Sequence, residues 1–66
     1  MPFVNIRIVE GHSKERKDEI SRRVVDAIND VTDIPKEAIW VVFQDITDEE
    51  WYVGEKSVKQ LNEAAT

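Results

Sequence analysis

The stretch from Lys14 to about Thr32 does most to restrict what this chain can become. Ile20, Val24, Ile28 and Val31 recur there at spacings of four, four and three, and Val25 and Ala27 widen the stripe. Lys14, Glu15, Lys17, Asp18, Arg22, Arg23, Asp26 and Asn29 fill the remaining surface. That pattern predicts a long amphipathic helix with one apolar face. Before it, Pro2 to Val9 reads PFVNIRIV, in which Val4, Ile6 and Ile8 alternate with Asn5 and Arg7, the period of a half-buried strand. Phe3 and Val9 place apolar groups on its second face as well. Gly11 permits a sharp turn, and Ser13 is a good N-cap for the helix.

After the helix, Pro35 disfavours helical geometry at Ile34. The segment Pro35-Lys36-Glu37-Ala38 can form a single helical turn. Ile39 to Ile46 is β-branched and aromatic, apolar on both faces in its first half, and reads as a strand inside a parallel sheet. The acidic run Thr47-Asp48-Glu49-Glu50 reads as a loop. Trp51-Tyr52-Val53-Gly54 reads as a short strand or hairpin arm, and Ser57 to Ala65 as a weakly amphipathic tail anchored by Val58 and Leu61.

Strand, long helix, strand, hairpin is an α/β order. The expected unit is a small β-α-β protomer with a parallel two-stranded sheet, a right-handed crossover and a C-terminal hairpin, one domain over residues 1–66. Such a unit leaves one sheet face bare, so Phe3, Trp40, Val42 and Phe43 are expected to be wet in an isolated chain. Ordering a residue costs about 1.5 kcal/mol, which a core of such size does not offset. Self-association that extends the sheet and covers its bare face is therefore expected.

Composition narrows the function by exclusion. There is no cysteine, hence no disulfide framework and no thiolate nucleophile or metal site. The single histidine, His12, has no HxH or HxxxH partner, so no metal site is expected. A net charge of −5 argues against nucleic-acid binding. The longest apolar run, Ile39 to Phe43, is far too short to span a bilayer, so no membrane partner and a cytoplasmic setting are expected.

Chemistry enters at Pro2. An initiator Met before proline is ordinarily removed, so Pro2 is expected to become the mature N-terminus, a secondary amine. An α-amino group titrates near pH 8, roughly, and an apolar or cationic pocket can bring a prolyl nitrogen down far enough to serve as a base at neutrality.

The ordered set P-F-V-N-I-R-I-V-E-G, H-S-K-E-R-K-D-E-I, I-P-K-E-A-I and W-Y-V-G-E, in a chain of 66 residues beginning Met-Pro, resembles the 4-oxalocrotonate tautomerase family from Pro2 to about Val58. The resemblance implies a β-α-β protomer, dimers with a four-stranded sheet, and commonly a hexamer made of three dimers. It also implies cofactor-independent enol–keto interconversion in a pocket completed by neighbouring subunits. Carried over by position, Pro2 is the general base, and Val9, His12, Trp40 and Trp51 are the substrate-contacting candidates.

Two departures matter. The family places an arginine after Glu-Gly and another early in the second strand, where this chain has His12 and Trp40. Its Gly-x-Gly-Gly hairpin is reduced to Gly54, and Asn62 lies near a further arginine position of some members. The expected substrate is thus a 2-hydroxy-dienoate or enolpyruvoyl-type carboxylate, an apolar or aromatic monocarboxylate suiting Trp40 and Trp51 better than a dicarboxylate. His12 is read as a hydrogen-bond donor to a carboxylate or an exposed loop histidine, Trp40 as interface or pocket wall, Trp51 as pocket wall. Parity puts Arg7 on the strand face opposite Pro2, where pairing with an acid at an interface is expected. Arg22 and Arg23 are expected in a solvated ion-pair face. The alternatives are hydratase, dehalogenase or decarboxylase chemistry with Pro2 as acid and Glu50 activating water, or a non-catalytic oligomeric binding protein.

Overall fold

The computed structural model describes residues 2–65. Alternation along the first segment produces β1 (Phe3–Val9), and the β-branched second segment produces β2 (Trp40–Ile46). They pair in parallel, with Phe3 opposite Trp40, Arg7 opposite Gln44 and Val9 opposite Ile46. One further bond closes the ladder at each end: the Trp40 N–H donates to the Pro2 carbonyl at 3.0 Å, and the Glu10 N–H donates to the Ile46 carbonyl at 2.8 Å.

Between the strands runs α1 (Lys14–Thr32). Gly11, at φ 116°, makes the turn into it, and the Ser13 hydroxyl caps it by accepting from the Arg16 N–H at 3.2 Å. It ends at Asp33, in the left-handed conformation (φ 63°), whose N–H returns to the Asn29 carbonyl at 2.9 Å. Asn29 is half-buried rather than a surface filler, because its Nδ2 donates to the Ile34 carbonyl at 2.8 Å and ties the exit loop to the helix. Pro35 then opens a short 3-10 turn over Lys36–Ala38.

Ile20, Val24, Val25 and Ile28 are half-buried, as the stripe requires. Val31 is not part of it: it is 85% exposed, and Ala27 is exposed too. A 19-residue helix is about 28 Å long, whereas a seven-residue strand covers about 23 Å, so the last turn overshoots the sheet. Phe43 also departs from expectation. It alternates with Val42 onto the covered side and, with Val41, lines a hollow beneath Lys14, Lys17, Asp18 and Ser21. The face turned from the helix carries Phe3, Asn5, Arg7, Trp40, Val42 and Gln44, all exposed.

The C-terminal segment is a second small unit. β3 (Tyr52–Val53) and β4 (Lys56–Ser57) form an antiparallel hairpin around Gly54 at φ 68°, and α2 (Val58–Ala65) follows at once. The tail is thus helical and packs on β4. The Val58 N–H donates to the Trp51 carbonyl at 2.8 Å, and Lys59 N–H to the Asp48 carbonyl at 3.0 Å.

Among the described residues the only buried apolar side chain is Ile39, at 7% exposure. The radius of gyration is 15.3 Å with extents of 45 × 23 × 16 Å, against about 11 Å for a compact domain of this length. The accessible surface is 5189 Å², roughly a fifth more than the approximately 4,300 Å² expected for a folded monomer of this mass. Within the single chain Phe3 is left 60% and Trp40 53% exposed.

Candidate active site

Within one chain the sequence-derived candidates separate into two groups. Pro2 and Trp40 stand at one end of the sheet, joined by the hydrogen bond between the Pro2 carbonyl and the Trp40 N–H. Val9, His12 and Trp51 belong to the opposite end: Val9 closes β1 beside Ile46, His12 follows in the turn, and Trp51 precedes β3. Seven residues of strand at about 3.3 Å each put the two ends roughly 23 Å apart. No small molecule spans that distance, so a pocket using both groups takes them from different chains.

At the Trp51 end lies a cavity of about 400 Å³, lined by Arg7, Ile46, Glu50, Trp51 and Tyr52. Arg7 reaches it from the uncovered face, and its Nε donates to Gln44 Oε1 at 3.3 Å. Within the chain its partner is thus a neutral amide rather than an acid. The sequence reading passed over this residue because strand parity sets it away from Pro2. The signal was nonetheless there, since the strand register brings Arg7 opposite Gln44 and close to the aromatic position.

His12 opens onto a second hollow of about 360 Å³, with Arg16, Glu19, Ile20 and Arg23. Arg16 Nη1 lies 3.4 Å from His12 Nδ1. A guanidinium only donates, so any hydrogen bond across this gap has Nδ1 as its acceptor. The spacing from 12 to 16 across the capped helix start could have been read in advance. Arg22 and Arg23 are the surface ion-pair face expected: Arg22 joins Glu19 and, at 3.2 Å, Asp26, while Arg23 Nε meets Glu19 at 2.7 Å. The hydrogen bonds from Arg22 and Arg23 bring the Glu19 carboxyl from 4.5 down to about 2. Lys36, hydrogen-bonded to Asp26 at 2.9 Å, likewise lowers that carboxyl.

This architecture is known. The model of the tautomerase enzymes matches residues 2–61. The chain belongs to the tautomerase family. It is 42% identical over 52 residues to the probable tautomerase of Streptococcus thermophilus, covering 79% of this chain and 85% of that one. A 4-oxalocrotonate tautomerase homologue of the tomaymycin biosynthetic pathway superposes with a TM-score of 0.93 over 98% of this chain and all of that one, at 23% identity, a likeness of fold. A heterohexamer 4-oxalocrotonate tautomerase from Chloroflexus aurantiacus superposes at 0.86 with 30% identity, covering 92% and 98%. The activity class is therefore tautomerisation, an isomerase chemistry, on the β-α-β scaffold with a parallel pair and a C-terminal hairpin. Among the described residues no helix is long and apolar enough to cross a membrane.

Proposed function

We propose that this tautomerase interconverts enol and keto forms of an enolpyruvoyl-type or 2-hydroxy-dienoate carboxylate, with Pro2 as general base and no cofactor. The observation that carries the reading is the position of Pro2, directly ahead of β1 with its carbonyl held in the sheet ladder. Once Met1 is cleaved, its nitrogen is a secondary amine on a fixed support. Trp40 and Phe3 lie beside it on the strands, and desolvation by such rings disfavours the ammonium form. In the forward step the nitrogen takes the enol hydroxyl proton, the oxygen pair closes to C=O, and the proton returns to the carbon released from the double bond.

Trp51, Val9 and His12 contact the substrate in this reading, through a neighbouring subunit, with Trp40 walling the amine. The roughly 23 Å between the two ends of one protomer, the exposed Phe3 and Trp40, and the heterohexameric relative support assembly as dimers gathered into a hexamer. A cytoplasmic setting goes with it. A second reading, hydration with Pro2 charged and Glu50 activating water, draws on one observation, that Glu50 lines the cavity beside Trp51.

The test is ketonisation of phenylenolpyruvate, followed by ultraviolet absorbance, for wild type and Pro2→Ala, with 2-hydroxymuconate as second substrate. An intact mass lacking Met1 and a kcat loss of about 10²- to 10⁴-fold on substitution are expected. Equal, near-background rates for both proteins would refute the base role. A nitrogen-15 titration that leaves Pro2 charged at pH 7, with turnover of an unsaturated acid by water addition, would install the hydration reading instead.

A further inference from the structure

Arginine is absent from both family positions, 12 and 40, yet a carboxylate substrate needs a cation. Among the described residues Lys14, Lys17, Arg22, Arg23, Lys36 and Lys59 already hold carboxylates, Arg16 leans on His12, and Lys56 stands in β4 outside the lining of the Trp51 cavity. Arg7 differs from all of these. Its only polar partner among the described residues is Gln44, which occupies Nε and leaves the four N–H groups of the two terminal nitrogens unengaged. It lines the cavity of about 400 Å³ with Trp51, Ile46 and Tyr52. Glu50 lines the same cavity, but no ion pair joins the two.

We propose that Arg7 binds the substrate carboxylate, in place of the arginines missing from positions 12 and 40, and that Glu50 restricts the pocket to monocarboxylates. The proposal rests on the proton-transfer reading above and names the substrate class of that site. Gln44 fixes the guanidinium plane by accepting from Nε, so the terminal edge presents the fork that matches two carboxylate oxygens. The apolar body of the substrate lies on Trp51 and Ile46. A second carboxylate would enter beside Glu50 and meet a like charge with one cation to share. Pro2 of the same chain lies five strand residues from Arg7, about 17 Å away, so the amine facing this cavity is a neighbour's.

Arg7→Gln, Arg7→Lys and Glu50→Gln are compared with wild type on three substrates: phenylenolpyruvate, 2-hydroxymuconate, and phenylacetaldehyde read by deuterium exchange at its α-carbon. The last keeps the aromatic frame and lacks the carboxylate. Arg7→Gln is expected to raise KM for phenylenolpyruvate roughly 10- to 100-fold, with exchange into phenylacetaldehyde unchanged. Arg7→Lys gives a smaller rise, because a point charge replaces a fork, and carries the test if the glutamine variant fails to assemble. Glu50→Gln is expected to shift kcat/KM toward 2-hydroxymuconate. An unchanged KM in Arg7→Gln, or equal losses on the substrates with and without carboxylate, would overturn the proposal. Binding of unreactive 3-phenylpropionate, followed by tryptophan fluorescence in Pro2→Ala, separates the two readings. Arg7-dependent binding together with a wild type that turns over no faster than Pro2→Ala would sink the Pro2 chemistry and keep the anion site, whereas Arg7-independent binding would sink the anion site alone.

Discussion

The two faces of the sheet are made by the same fourteen strand residues and have opposite relations to their surroundings. Toward α1 point Val4, Ile6, Ile8, Val41 and Phe43, all half-buried by the helix. Away from it point Phe3, Asn5, Arg7, Trp40, Val42 and Gln44, all exposed. The first face is uniform along its length. The second is graded, from the Phe3–Trp40 pair at the Pro2 end to the Arg7–Gln44 pair at the other. A face completed within the chain needs only hydrophobicity, whereas a face that, as we propose, other chains and substrate complete needs position-dependent chemistry.

That contrast can be broken from the bare side first. Trp40→Asp puts a charge where we expect an interface, and sedimentation velocity at micromolar concentration is expected to show complete conversion to smaller species; an unchanged assembly would mean that this face stays open. On the covered side, Ile6→Ala is expected to cost about 2 kcal/mol, roughly a 10 °C fall in Tm at matched protein concentration. Its sedimentation should be unaltered at low temperature, since the deleted methyl groups face the protomer's own helix. Asp45→Asn cuts the Lys17–Asp45 pair at 2.8 Å, half-exposed at the edge of that side, and should cost under about 1 kcal/mol by thermal unfolding.

The smallest effect lies beyond both faces, on the outer surface of α1. The Glu19 carboxyl has its pKa lowered to about 2, from 4.5, by Arg22 and Arg23. A carboxylate with a lowered folded pKa contributes stability above its unfolded value and loses it as pH falls through the folded one. Helix content by circular dichroism should therefore drop between pH 4.5 and about 2 in wild type. Glu19→Gln should lack that increment.

The covered half of this comparison was legible in the sequence because periodicity reports one partner: Val4, Ile6 and Ile8 at period two and Ile20, Val24 and Ile28 at helical spacing can only meet each other. Val31 follows the same rule and escapes it, because sequence spacing gives no information about where a 23 Å sheet ends under a 28 Å helix. Phe43 was misplaced for a related reason. A strand start apolar on both sides, Ile39 to Phe43, conceals which residues face inward until the register with β1 is known. For the candidate site the family resemblance supplied Pro2, Val9, His12, Trp40 and Trp51. It could not supply Arg7, which stands at no family position and becomes notable only when Gln44 and Trp51 are beside it. The tail helix α2 was read only as weak amphipathicity, since its packing partner is the four-residue hairpin rather than a broad sheet.

The pyrrolidine ring fixes φ at Pro2, and the hydrogen bond from Trp40 to its carbonyl restrains ψ. The residue directly ahead of β1 therefore has little torsional freedom left, which fixes the direction of its nitrogen relative to the sheet. Any slip of β1 against β2 by one residue would carry that nitrogen about 3.3 Å along the sheet and turn its ring to the other side. Strand pairing thus also sets the position of Pro2, and a mutation that loosens the first rungs of the ladder should blur that position well before it unfolds the chain.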